Sequence, residues 1–332
     1  MKKLPVLGHA LALFVLLLTA CGPVTPAAIQ ASAPPADPQQ YLSDALDIIQ
    51  KNALNSKNVD WVKLRAMAVT FEKFAKTPAD TYDTINYALR QLGDHHSFFL
   101  APEYANQLNT STASDFPAPE GKVLEEKIGY VAVFEFGAQA KAETTEYADH
   151  IQNIIIELDQ YSICGWIVDL SQNQGGNMYP MIAGLGALIG EGKLGSFKTA
   201  SGQISHWYYR DGHAGIGHVP FARVSQPKLL FDPAETPVAV LIGPQTASSG
   251  EATAISFRGR PNTRFFGRPS AGLTTGNELY PLKDGAILVL TTVVELDRTG
   301  REYGGSITPD VVTADPQSEA TEWLLTQPAC KK

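Results

Sequence analysis

Val238-Ala239-Val240-Leu241-Ile242-Gly243-Pro244-Gln245-Thr246-Ala247-Ser248-Ser249-Gly250-Glu251-Ala252 is the stretch on which the fold turns. Five consecutive apolar residues, three of them β-branched, predict a buried strand. Gly243-Pro244 ends it, and a helix is expected to start near Ser249. The small residues between allow a tight turn and a close approach to the backbone. Peptide N–H groups at a helix start are unpaired and favour negative charge. A serine hydroxyl held at this turn would sit beside donors able to stabilise an oxyanion. The plainer reading is that Thr246, Ser248 or Ser249 caps the helix.

The same pattern occurs upstream. Ile167-Val168-Asp169-Leu170 ends a strand, Ser171-Gln172-Asn173-Gln174-Gly175-Gly176 forms an Asx- and glycine-rich turn, and a helix begins near Asn177. Gly175 and Gly176 can present bare N–H groups, while Asp169 and Asn173 suit bonding to the turn. Before this junction, Ile128 to Phe136 predicts a strand and Ala142 to Leu158 a long helix. After it, Phe265 to Val312 predicts short strands with turns at Gly267, Gly285 and Gly304. Trp207, Tyr208 and Tyr209 lie in a strand-like run and are expected to pack. Strands alternating with helices predict an α/β domain over residues 120–320.

Residues 39–98 differ in character. Leu42, Ala45, Leu46, Ile48 and Ile49 share one helical face, and further helices are expected over about 59–74 and 79–92. This small helical domain ends in Leu92-Gly93-Asp94-His95-His96-Ser97-Phe98-Phe99. Two adjacent histidines beside an acid suit proton transfer better than metal binding, because adjacent side chains diverge and no HExxH-type pair accompanies them.

The start of the chain reads as a targeting segment. Lys2 and Lys3 precede a short apolar run from Ala10 to Leu18, too short for the roughly 20 residues of a spanning helix. Leu18-Thr19-Ala20-Cys21 resembles the bacterial lipobox. Residues 1–20 are thus expected to be a lipoprotein signal peptide, Cys21 the lipid-bearing N-terminus, and residues 21–38, rich in Pro and Ala, a tether. The protein is expected outside the cytoplasm, anchored to a membrane. A formal charge of -8 without a basic cluster argues against nucleic-acid binding. There is no phosphate-cradling loop followed by lysine and no cysteine spacing for a metal, so no cofactor or metal is expected. Cys164 and Cys330 have the option of pairing in an oxidising compartment.

Six markers in order, LGDHHSFF, IGYVAVFEF, IVDLSQNQGGN, TASSGEATA, FGRPSAG and ITPDVV, resemble the tail-specific (C-terminal processing) serine peptidases, and more closely their branch with the tricorn core and the interphotoreceptor retinoid-binding protein modules. The resemblance covers roughly residues 80–315 and implies a ClpP/crotonase-like spiral of ββα units. It implies Ser248 as nucleophile, with Ser249 the alternative, and oxyanion N–H groups from Ser249 and from Gly175 or Gly176. Many members use a lysine base beyond the turn matched by Gly267–Gly272. Leu273 stands at that position, and no lysine occurs between Ser248 and Lys283. The base implied is therefore His96, with His95 second. Glu302 is implied as the acid orienting it, with Glu295 and Asp94 as alternatives. Too few residues separate Phe99 from Ile128 for a PDZ domain. The implied function is a serine endopeptidase or peptidase, hydrolysing peptide or protein substrates through an acyl-enzyme. The rivals are a peptide- or ligand-binding lipoprotein without turnover and an esterase-type acyl hydrolase.

Overall fold

The computed structural model describes residues 37–226 and 230–331. The proposed signal peptide, Cys21 and all but the last residues of the tether lie outside them. The chain begins with α1 (Pro38–Asn52), α2 (Trp61–Phe71), α3 (Tyr82–Gln91), β1 (Phe98–Leu100) and α4 (Pro102–Thr110). It continues through β2 (Glu120–Leu124), β3 (Ile128–Ala132), α5 (Lys141–Asp159), β4 (Gly165–Asp169) and α6 (Met178–Ile189). Next come β5 (Gly192–Thr199), β6 (Ile204–Arg210), β7 (His213–Ile216), β8 (Val219–Arg223), β9 (Val238–Ile242) and α7 (Ser249–Ile255). The last elements are β10 (Thr263–Gly267), β11 (Thr275–Pro281), β12 (Ile287–Asp297), β13 (Val311–Val312) and α8 (Pro316–Thr326).

Two sheets organise these elements. One has the order β13-β10-β9-β4-β3-β2 and is parallel except for the β2–β3 hairpin. Its central strands are apolar on both faces, as a parallel sheet covered by helices requires: every residue of β9 is buried. The other sheet is antiparallel, ordered β1-β12-β5-β6-β7-β8, with β11 also paired to β12. The long strand β12 is the frame of the site: β11 runs along it from Thr275, opposite Val294, and β1 pairs with its beginning.

The mixed α/β class with N-terminal helices is the one expected from the sequence. The helices α1–α3 share a core with Leu288 and Leu290 of β12, so the first helices and the second sheet pack as one body. The predicted strand Ile128–Phe136 is shorter in the ladder, because the chain leaves β4 after Ala132. Phe136 instead brackets the glycine turn: its N–H donates to Gly175 O at 3.1 Å and its carbonyl accepts from Asn177 N. Trp207 and Tyr209 are buried, with Trp207 Nε1 donating to Ser256 Oγ at 3.0 Å. The strand-like run at Trp207–Tyr209 is β6, whereas its antiparallel partners β5, β7 and β8 and helix α8 are not expected from the sequence. Cys164 and Cys330 form a disulfide with a Cα–Cα distance of 5.0 Å, joining the entry to β4 to the segment after α8. No helix among the described residues is long and apolar enough to cross a membrane.

Candidate active site

The neighbouring parallel strands β4 and β9 end on the same edge of their sheet, and each runs through a tight turn into a helix. Both turns therefore meet outside the carboxyl ends of the strands, where open α/β sheets place ligands. They are bolted together by hydrogen bonds. Ala247 N donates to Asn173 O at 3.0 Å, Thr246 Oγ1 donates to Leu170 O at 2.8 Å, and Asn173 Nδ2 reaches Val133 O and Phe134 O.

At the end of the second turn Ser248 has φ +52°. A non-glycine residue there is strained, and strain of this kind persists only where the surroundings over-determine it. Glu251 is what holds it. Its carboxylate is fully buried and accepts from Ser248 N at 2.9 Å, Leu273 N at 2.7 Å, Gly272 N at 2.9 Å and the Ser270 hydroxyl. Ser270 Oγ in turn accepts from Ile307 N at 2.7 Å. One carboxylate thus ties three of the sequence markers, TASSGEATA, FGRPSAG and ITPDVV, to a single point. Burial pushes its carboxyl up to about 6, against the four donors that favour the ionised form.

His96 arrives from the antiparallel side. Asp94 shapes its turn, with Oδ1 accepting from His96 N at 3.0 Å and Ser97 N at 2.8 Å, and Oδ2 from Ser97 Oγ at 2.7 Å. Asn277 of β11 donates from Nδ2 to His96 O at 3.0 Å. Held in this way, His96 Nε2 stands 3.0 Å from Ser248 Oγ. Both residues are nearly completely buried. Desolvation pulls the imidazole down to about 4, with the charge of Asp94 acting weakly against it.

Several site residues named from sequence fall differently. The hydroxyl of Ser249 donates to Gly176 O, so Ser248 rather than Ser249 meets the histidine. His95 is exposed, with φ +56°, and makes no hydrogen bond to Ser248. Glu302 is not brought to His96: it lies on the surface, paired with Lys198 Nζ at 2.7 Å. The partner of His96 Nδ1 is the Thr275 hydroxyl at 2.6 Å. Asp94 acts on the backbone, and Glu295 is buried on β12 without a bond to His96. The physical reason is register. Thr275 begins β11 opposite Val294, which places its side chain beneath the imidazole, whereas Glu302 bridges back to Leu296 further along.

The two glycines also divide. Gly175 N–H donates to Asn173 Oδ1 at 2.9 Å, so it is already used. Gly176 N–H and Ser249 N–H have no acceptor among the described residues. Both glycines have φ above +100°, and a Cβ on Gly176 would lie 2.1 Å from Phe136 O. Only glycine fits there.

The sequence matches the model of Peptidase family S41 over residues 127–313, more than half of the chain. The chain belongs to this peptidase family. The match covers both turns and the buried glutamate network. Among its relatives, the nisin-resistance protein of Lactococcus lactis subsp. lactis is 30% identical over 294 residues, 88% of this chain and 89% of that one. A solved lipoprotein from Streptococcus agalactiae is 30% identical, with a TM-score of 0.75 over 89% of this chain and 99% of the other. The photosystem II D1 C-terminal processing protease shares the fold at 17% identity and a TM-score of 0.58, over 89% of this chain and 99% of that chain. Family membership supports a peptidase-type hydrolase and is consistent with peptide or protein as its substrate class.

Proposed function

We propose that this member of the family is a serine peptidase working through an acyl-enzyme, with Ser248 as nucleophile and His96 as general base. The observation that carries this reading is the 3.0 Å contact between Ser248 Oγ and His96 Nε2 in a buried site. For Nε2 to take the serine proton, Nδ1 must carry the other hydrogen and donate it to Thr275 Oγ1, which fixes the tautomer. Ser248 Oγ then attacks the scissile carbonyl. The free N–H groups of Ser249 and Gly176 take the developing oxyanion, and His96 returns the proton to the leaving amine. Water, deprotonated by the same imidazole, releases the acyl group. Thr275 stands where other enzymes of this kind carry an acid, so the imidazolium is oriented without being neutralised.

A non-catalytic binder has no need for a strained serine aimed at a buried imidazole, and the rival is weaker for that reason. With Cys21 lipidated, the peptidase would stand outside the cytoplasm on a membrane. The Lactococcus relative is named for nisin resistance, so nisin is the first substrate to offer.

The reading is tested by labelling the folded protein with a fluorophosphonate probe. Covalent label mapped to Ser248, and lost in Ser248→Ala and His96→Ala, is the expected result; no label on the native chain at neutral pH would overturn it. The rate of that labelling also has a defined pH dependence. The buried imidazole is free base above about 4 rather than above the ordinary 6.5. Labelling should thus hold its neutral rate down to about pH 5 and fall as His96 takes up a proton near 4. An acid limb centred near 6.5 would contradict the buried imidazole. Thr275→Val removes the Nδ1 partner. One hydrogen bond to a charged group is worth about 1.5–3 kcal/mol, so kcat should fall about 10- to 100-fold with little change in KM. An unchanged kcat would remove Thr275 from the mechanism.

A further inference from the structure

Glu295 has no task in this chemistry, yet it lies beside it. Its side chain is 98% buried and makes no hydrogen bond or ion pair with a described residue, and Oε2 is shut off from solvent without a partner. Glu295 lines a small recess together with Gly176, Phe197, Ser248, Ser249, Thr275 and Asn277. We infer that this recess receives the side chain on the acyl side of the scissile bond, and that Glu295 at its wall selects a small, hydroxyl-bearing residue there. The inference rests on Ser248 being the nucleophile.

Direction comes first. The leaving amine must reach His96 Nε2 to collect its proton. The recess is lined by Ser248 and by the two residues whose N–H groups are free for the oxyanion. Thr275 and Asn277, which hold His96 from behind, close its other side, but the imidazole that must meet the leaving amine is not part of its wall. A side chain entering it therefore belongs to the residue whose carbonyl is attacked.

Size comes second. The recess has a volume of about 10 Å³, room for roughly one water. Its walls are stiff. Phe197 is 1% exposed and pairs with Glu295 across the β5–β12 ladder. Glu295 N donates to Thr274 O and its carbonyl accepts from Tyr303 N at 2.9 Å. Leucine, phenylalanine, lysine and arginine are too large for such a space, whereas a hydroxymethyl group comes close to filling it.

Polarity decides among the small residues. No described cation pairs with Glu295, and the charge that acts on it is the carboxylate of Glu251. Burial, and then the charge of Glu251, hold the Glu295 carboxyl well above the usual range. A neutral carboxyl carries one donor and one acceptor. Alanine would leave both unmet, while a serine hydroxyl answers both. Sites built around a buried polar group discriminate strongly against analogues that cannot bond to it.

The test uses quenched fluorescent peptides identical except at the residue before the cut, offered to the full native chain, Glu295→Ala and Phe197→Ala. The native chain should cut after serine about tenfold faster than after alanine, and more than 100-fold faster than after leucine or lysine. Glu295→Ala should bring the serine-to-alanine ratio near one and admit leucine. Phe197→Ala, which widens the wall but keeps the carboxyl, should admit leucine while retaining the preference for serine over alanine. It keeps the proposal open to refutation should Glu295→Ala not fold. Native preference for lysine or arginine, or unaltered profiles in the variants, would overturn the subsite alone provided that Ser248 still takes the fluorophosphonate label. Loss of that label in the native chain overturns the subsite and the nucleophile together.

Discussion

Ser248→Ala is expected to lower kcat on a peptide substrate by about 10⁴- to 10⁶-fold, with the folded structure intact. Members of a nucleophile–base pair act as a unit, so removing either costs nearly as much as removing both. His96→Ala should accordingly fall to a similar floor, and the double variant should be no slower than the singles. What remains would come from Ser249 N–H, Gly176 N–H and substrate binding, which the substitutions leave in place. Alanine suits the folded chain here because the strained backbone at Ser248 is imposed by the Glu251 carboxylate through the peptide N–H, which the substitution keeps. Turnover, read beside a thermal melt for each variant, checks the expectation. Losses that multiply in the double variant would mean that the two residues do not share one proton.

Loss of the Cys164–Cys330 disulfide has the next largest expected effect. The bond closes a loop with a sequence separation of 166, and the chain-entropy model assigns such a closure about 5 kcal/mol. It joins the start of β4 to the chain end beyond α8, whose Ala320 and Leu324 pack with Ile167, Ala239 and Leu241 of the parallel sheet. Opening it frees the C-terminal segment to leave that face. Cys330→Ser, or the native protein under reductant, should melt about 10 °C or more lower. An unchanged melting temperature would show that the packing of α8 alone closes the sheet.

The site was readable wherever its pieces are local. The buried run before Gly243 and the small residues after it specify a strand, a turn and a helix through their own propensities, and the same holds for Ile167 to Asn177. His96 became a candidate through resemblance of its segment. Its distance to Ser248 was not readable, because 152 positions separate the two and a hydrogen bond of 3.0 Å depends on both sheets being in register. Thr275 was missed altogether: a threonine at a strand start carries no chemical signal, and it matters only because β11 pairs with β12 below the imidazole. Glu302 carried the stronger sequence signal yet faces Lys198, since a carboxylate with access to water and a lysine has no reason to enter the site. Asn173 Oδ1 claims Gly175 N–H and leaves Gly176, a distinction between adjacent identical residues that only the folded turn makes.

The sequence alone therefore determined the α/β class, the helical start and the two strand-to-helix turns, because short-range propensity and hydrophobic pattern act within a few residues. The peptidase family was legible only through the resemblance of six ordered markers. Which serine meets the histidine, what orients that histidine, which glycine keeps its N–H and where Glu295 comes to lie were decided only by tertiary structure. Those facts are contacts between chain segments far apart, and their distances follow from sheet register and packing rather than from the residues as neighbours in the chain.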